Sequence, residues 1–548
     1  MEQQKILKAH PADNVIVALT DLTAGTTYKY EGNSYVPVNN IPAKHKFAAV
    51  PIPAGADVIM YGVLVGKAGS DIAYGELLTT GNTKHASSSF ENAGKSISWQ
   101  APDTTAWQHR TFNGYHRSDG SVGTANYWLV IPLVFCENGN VDTLKEALLE
   151  PLGYAQKKSY AGYTRHLISQ YRNGGQAVSD YTSSNAVPGK VERLFPQVTG
   201  VKFLTHEGGC GGTRQDAQTL CGLLAGYITH PNVAGATVLS LGCQNAQASI
   251  LEAEIRKRNP AFDKPLYILD QQKTGTESLL LQEAIRLTFE GMATANALTR
   301  QPAPLSKLCV GLECGGSDGF SGISANPALG HASDLLVAMG GAVILAEFPE
   351  LCGVEQNLID RCTDPDNAVR FADLIKTYSL RAQQVGSGFD MNPSPGNIKD
   401  GLITDAMKSA GAARKGGSSP VTAVLDYPEK VTRAGLNLLC TPGNDVESTT
   451  AEVGAGANVV VFTTGLGTPT GNPIAPVVKV ATNSILARKM NDIIDLNTGD
   501  IIDGKESVEA AGERILDYII QVASGDIEVA AVRNGQEDFI PWKRGISL

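Results

Sequence analysis

Gly311-Leu312-Glu313-Cys314-Gly315-Gly316-Ser317-Asp318-Gly319-Phe320-Ser321-Gly322 decides how the rest of this chain is read. The short run Leu308-Cys309-Val310 before it reads as a strand. Asn326-Pro327 and a helical pattern over 331–339 follow it. Strand, glycine-rich turn and helix in succession are the unit of an open α/β sheet. The loop beyond the carboxyl end of such a strand is where these sheets bind ligands. Glycines let the backbone turn sharply there and come close to a ligand. Cys314 and Asp318 sit inside the turn. Taken alone, it is either a binding loop or a glycine-rich connection around an inert cysteine.

The same unit recurs on both sides. Strands are expected over 127–135, 201–204, 236–241, 266–269, 308–312 and 342–345, with helices over 216–228 and 246–258 between them. Fully apolar strands alternating with helices imply a parallel sheet covered on both faces. Cys136, Cys210, Cys243 and Cys314 each follow a strand end, and His206, Gln271, Gln272 and Glu347 fall at equivalent places. In a parallel sheet these residues share one edge. Thiolates at such an edge suit an iron–sulfur cluster or another soft metal, and the alternative for each is a small buried hydrophobe. Cys221, Cys309, Cys352 and Cys362 are assigned to packing or surface.

Residues 14–80 read differently. Short strands over 15–17, 47–52 and 58–65 alternate with three similar glycine turns, at Gly25, Gly55 and Gly75, which argues for a small β module. Its turn Lys44-His45-Lys46 is cationic, either an anion contact or a solvated turn. A second α/β unit follows residue 392, with strands over 421–425, 436–439, 459–462 and 477–480 and a helix over 508–522. Its loops are dense in Gly, Ser, Thr and Asn, and none is a Walker or dinucleotide motif. The fold class is therefore α/β. A small N-terminal β domain (1–90) and a linker (91–110) lead into two α/β domains with mainly parallel sheets, 111–390 and 391–548.

At 548 residues the chain has room for about three domains. Its net charge of −10 and lack of a basic patch argue against nucleic acid or an anionic membrane as partner. The N-terminus lacks a signal-peptide core, and the longest apolar run, 127–136, is about half a membrane span. Nine cysteines without a secretory signal suggest reduced thiols in a cytoplasm.

The motifs together resemble the altronate/galactarate dehydratase family. They are His206-x-x-Gly209-Cys210, Leu241-Gly242-Cys243, Cys314-Gly315-Gly316-Ser317-Asp318, Ala325-Asn326-Pro327, Asn392-Pro393-Ser394-Pro395-Gly396-Asn397 and Thr464-Gly465-x-Gly467-Thr468-Pro469. Lys44-His45-Lys46 is similar to a turn of the family's SAF-type (β-clip-like) domain. His230-Pro231-Asn232 and Pro442-Gly443-Asn444-Asp445 point to the altronate branch. The resemblance implies loss of water from a sugar acid, D-altronate to 2-dehydro-3-deoxy-D-gluconate. It also implies iron, as Fe2+ or an iron–sulfur cluster, with Mn2+ as a substitute. A cytoplasmic homodimer is expected.

The catalytic candidates are His206, Lys415, Asp318 and Glu347. The substrate-binding candidates are His45, Lys46, Asn326, Asn397, Ser419, Asp445, Thr468 and Lys479. Cys136, Cys210, Cys243 and Cys314 are the metal candidates. His206 or Lys415 is the expected base, His206 alternatively orienting the Cys210 loop. A single Fe2+ on His206, Asp318 and Glu347 is the alternative to a cluster. The chain departs from the family at Ala125, Ile398 and Leu466, where cations are usual. Galactarate as substrate, or a non-catalytic sugar-acid-binding role, are the rival readings.

Overall fold

Turn chemistry shapes the first domain. The computed structural model describes residues 4–91, 98–155, 160–173 and 192–547. Up to Lys84 its strands are two to six residues long and pair antiparallel. The run 58–65, expected as one strand, is a hairpin of Asp57–Met60 and Val63–Ala68. Tyr61 and Gly62 form its turn at φ 56° and 76°, the two-residue geometry whose twist suits antiparallel strands. The strand expected over 47–52 is Lys46–Ala48; Pro51 and Pro53 have no N–H to offer a ladder.

Residues 127–270 carry a four-stranded sheet in the order Gly200–Phe203, Tyr127–Pro132, Val233–Ser240, Leu266–Asp270, parallel throughout. A seven-stranded parallel sheet follows, in the order Val421–Leu425, Gly435–Leu439, Ala342–Leu345, Cys309–Cys314, Val459–Thr464, Val477–Ala481, Leu496–Asn497. The strands 309–314 and 342–345 thus share a sheet with the strands after 421. The division expected at 390 runs through this sheet and moves to about residue 300, where Gln301–Pro304 pairs antiparallel with Thr111–His116. Parallel neighbours lie far apart in sequence, so no local signal marks which strands share a sheet.

From the strand 309–314 the chain steps to one side, to 342–345. It returns on the other side at 459–464. Strand order reverses between these two neighbours, and ligands of open α/β sheets bind in the crevice at such a point. Phe348 and Phe462, both fully buried, pack beneath the edge, each contributing about 1.5–3 kcal/mol of apolar burial.

The N-terminal domain docks on this edge through its cationic turn. Lys44, at φ 75°, presses its carbonyl against Gly319 and Gly401, where any β-carbon would collide. Its Nζ lies 3.1 Å from Asp318 Oδ2 and 2.8 Å from Asp400 Oδ1. Lys44→Met should lower unfolding stability by about 1–3 kcal/mol, because Asp318 keeps four other donors and escapes the full cost of an orphaned buried charge. The check is the urea midpoint; a midpoint equal to the parent's would show that the turn is not clamped by this pair.

Candidate functional site

Three strand ends and one short helical turn converge on a buried centre. The 309–314 strand ends in Glu313 and Cys314, and the 342–345 strand runs into Glu347. The 435–439 strand leads to Asp445 at the start of the helix Asp445–Ala455, which Asn444 caps. The turn Ala413–Gly416 brings in Lys415. Lys415 Nζ donates to Glu347 Oε2 at 2.8 Å and to Cys314 Sγ at 2.9 Å, and all three residues are buried. Glu347 takes the left-handed region at φ 62°, with its N–H on Thr441 Oγ1 at 2.8 Å, a conformation that costs a non-glycine residue about 1–3 kcal/mol. A second cation, Lys408, donates to Glu350 Oε1 at 2.6 Å and to Asn392 Oδ1 at 3.1 Å.

Carboxyl groups outnumber cations here. Glu313, Glu347, Glu350 and Asp445 face Lys415 and Lys408. Glu313 and Glu347 face each other carboxyl to carboxyl, and neither oxygen of Glu313 nor Glu347 Oε1 meets a donor from any other residue. Burial, reinforced by Glu347 and Glu452, holds the Glu313 carboxyl well above the usual range. Burial and Glu347 also raise Glu350, against the pull of Lys408. Asp445, half-buried, is pushed up to about 7 by burial and by Glu347 and Glu350. Burial pushes the Cys314 thiol up to about 12 despite Lys415, so it stays protonated at neutral pH. Burial works against the charge of Lys415, but Cys314, Glu347 and Glu313 around it hold it above the ordinary lysine range. Ligand atoms of Cys314, Glu347 and Glu350 lie within 4.8 Å of one another, as do those of Glu313, Glu347 and Asp445.

The sequence candidates divide. Glu347, Lys415, Asp445 and Cys314 meet in this centre. Thr468 and Leu466 lie over Gly316, in a loop joined to it by hydrogen bonds from Gly465 and Leu466 N–H to the Gly316 carbonyl. Asp318 is a clasp: Oδ1 accepts from Phe320 N–H, Ser321 Oγ and Thr482 Oγ1, and Oδ2 from Asn483 and Lys44, so no lone pair is left for chemistry. His206 is occupied at both ring nitrogens: Nε2 faces the Pro132 carbonyl at 2.8 Å and Nδ1 the Gly208 N–H at 3.1 Å. Burial lowers it to about 4, a neutral ring that fixes the Cys210 loop rather than a base.

Other candidates tie loops together. Asn326 bonds Thr463 Oγ1 and the Gly411 carbonyl, and Asn397 donates to the Ser317 carbonyl. Ser419 is buried, its N–H on Asp334. Lys46 is fully buried and donates to the Gly401 carbonyl, while His45 turns to the Ala43 carbonyl; Lys44 is the residue of that turn that reaches the Asp318 loop. Lys479 donates to Gln536 Oε1 at 2.6 Å, on a strand that contributes nothing to the centre. Cys136, Cys210 and Cys243 are exposed at three neighbouring strand ends of the four-stranded sheet, whereas Cys314 belongs to the other sheet. Hydrogen bonds from Phe135 N–H to Gly208 O and from Ala246 N–H to Gly209 O join their loops. Beside them, a cavity of about 870 Å³ is lined by His206, Cys210, Asn245, Glu447 and Trp542, and Asp445 stands two residues before Glu447. Ala125 is buried, and Ile398 and Leu466 are half-buried.

Sequence reasoning missed Glu313, Glu350 and Lys408. A signal existed for Glu313 and Lys408. Glu313 interrupts an otherwise apolar strand, and Lys408 sits in a helix whose other faces are buried.

Residues 4–86 match the family described as altronate/galactarate dehydratase SAF domain. Residues 114–296 match the D-galactarate dehydratase/altronate hydrolase second domain, and 305–547 the D-galactarate/altronate dehydratase C-terminal domain. Altronate dehydratase of Escherichia coli (strain K12) is 32% identical over 542 residues, 99% of each chain. Altronate dehydratase of Bacillus subtilis (strain 168) is 32% identical over 545 residues, the full length of both. Galactarate dehydratase (L-threo-forming) of Escherichia coli (strain K12) is 29% identical, over 95% of this chain and 92% of its own.

Lys415→Met should cost about 3–5 kcal/mol, the penalty for leaving buried acids without their cation. Adding Glu347→Gln should restore part of it. Urea unfolding of the single and double variants is the check; a single variant as stable as the parent would mean that Lys415 does not hold the centre together.

Proposed function

The chain belongs to the altronate/galactarate dehydratase family and is a sugar-acid dehydratase, a hydro-lyase; on that premise we propose that the Lys415 centre removes water from a six-carbon aldonate, altronate first. The observation that carries this reading is one carboxyl cluster shared by two groups: Lys415 donates to Glu347, and Asp445, within 4.8 Å of Glu347 on the half-open side, is pushed up to about 7 by burial and by Glu347 and Glu350. Dehydration takes the proton from C2 and expels the hydroxyl from C3; the resulting enol becomes the 2-keto acid. Charge builds on the substrate carboxylate as C2 loses its proton, and a preorganised cation stabilises it where it forms. Lys415 supplies that cation. Its raised pKa makes it a poor base, so the base role expected for Lys415 or His206 passes to Asp445, whose range suits proton transfer at neutral pH. Glu350, whose carboxyl is raised by burial and by Glu347 against the pull of Lys408, is the proposed proton donor to the departing hydroxyl. Gly315 and Gly316, with Thr468 above them, present backbone and hydroxyl to the sugar.

The same centre fits the metal that the resemblance implies. Unpartnered buried oxygens on Glu313 and Glu347, with Cys314 beside them, form a largely oxygen donor set that suits Fe2+ or Mn2+ and leaves Asp445 and Glu350 to the proton transfers. Bound there, the ion would act as a Lewis acid toward a substrate hydroxyl. An iron–sulfur cluster is the second reading, favoured by the exposure of Cys136, Cys210 and Cys243 at neighbouring strand ends. In that case Cys314 remains with Lys415. The expected setting is the cytoplasm, in keeping with nine free cysteines and with no described helix long and apolar enough to cross a membrane. Assembly as a homo-oligomer, a dimer first, is the expectation, to be read by size-exclusion chromatography.

The test is an anaerobic assay with Fe2+ or Mn2+, supplying altronate and galactarate in parallel and measuring 2-keto acid. Altronate should be converted, with kcat/KM rising as pH passes through about 7 while Asp445 ionises. Asp445→Asn should lose about 10²–10⁴-fold and the rise with it. Conversion of galactarate alone would overturn the substrate, and an unchanged pH profile in Asp445→Asn would overturn the base.

A further inference from the structure

A second cluster of ligating side chains lies away from the Lys415 centre, where the N-terminal domain hands over to the last. His85 follows the final strand of the first domain, Thr83–Lys84. Cys352 follows the turn Phe348–Leu351, and Asp405 opens the helix Asp405–Ala412. A nitrogen of His85, Cys352 Sγ and an oxygen of Asp405 all lie within 4.8 Å of one another. The sequence alone assigned Cys352 to packing or surface and gave His85 no role. Only the fold brings the three segments together.

Asp405 is the independent sign that something is bound here. It is 1% exposed; Oδ1 accepts from Ser409 Oγ at 3.3 Å, and beyond the neighbouring Cys352 thiol Oδ2 has no partner. A buried carboxylate oxygen left bare costs about 1–3 kcal/mol or more unless a cation or donor meets it. Glu350 adds negative charge beside Asp405, and Lys408, one helical turn on, offsets part of it. Gly353, at φ 90°, brings the loop so close that a β-carbon there would lie 3.3 Å from the Ser87 and Ala406 side chains. The cysteine is thereby held against the two segments that carry the other ligands. His85 is exposed, which leaves an entry path.

We propose that His85, Cys352 and Asp405 bind a transition-metal dication of the zinc class. One imidazole, one thiolate and one carboxylate are the donors Zn2+ takes, with a fourth position open to water. The ion staples the first domain to the helix 405–412. That helix carries Lys408 one turn on, which in turn holds Glu350. The site therefore fixes the geometry of the acid centre without touching substrate, and it stands whether or not the proposed chemistry does.

The test uses full-length protein stripped of metal and titrated with Co2+. The parent should take up a stoichiometric ion with a thiolate-to-cobalt charge-transfer band, released by Zn2+. His85→Ala and Cys352→Ser should each lose that ion and band, while Cys314→Ser, at the other centre, keeps them. Zn2+ should raise the Tm of the parent and leave that of His85→Ala unchanged. His85 is exposed, so its variant tests the site without endangering the fold. Co2+ stoichiometry and band unchanged in both His85→Ala and Cys352→Ser would overturn the proposal.

Discussion

A lysine ammonium buried among carboxyls and a thiol is the constraint around which this protein is arranged. Lys415 is 1% exposed, and burying a charge without partners is prohibitive. The partners come from separate places: Cys314 from the central strand, and Glu347 from the next strand through a strained left-handed turn. Each depends on the seven-stranded sheet placing its strand ends side by side. The acids in turn need Lys415 and Lys408, because four carboxyls gathered at one edge would otherwise neutralise by protonation or repel.

The surrounding loops serve that arrangement. Asp318 gathers residues from positions 44, 482 and 483, so the N-terminal domain and the far half of the sheet meet at a single carboxylate. Asn326 and Asn397 tie the Thr463 and Ser317 segments down in the same way. Asp445 is the half-buried edge of an otherwise closed centre.

The strand ends carrying Cys314 and Glu347 were legible in the sequence, because fully apolar runs with glycine-rich exits mark buried parallel strands and their functional edge. Type and rough extent of most elements followed from the same patterning. Which strands share a sheet did not, and the boundary at 390 failed for that reason. Hydrogen-bond saturation decides the roles of Asp318 and of His206, for which the sequence left base and orienter of the Cys210 loop both open. Asp318 and His206 look reactive in a sequence, but their partners, some 164 residues away for Thr482, use up every lone pair. Glu313 was passed over because only sheet register shows that a strand glutamate turns to Glu347 rather than to water.

The central claim is that substrate chemistry takes place at the Lys415 centre, approached from Asp445. A crystal structure with a 3-deoxy aldonate, which lacks the hydroxyl to be expelled, tests it most directly. The account predicts the ligand against Gly315 and Gly316, with polar atoms within hydrogen-bond reach of Lys415 and Asp445. A ligand seated instead against His206 and Cys210 in the neighbouring cavity, with no contact to either residue, would contradict it.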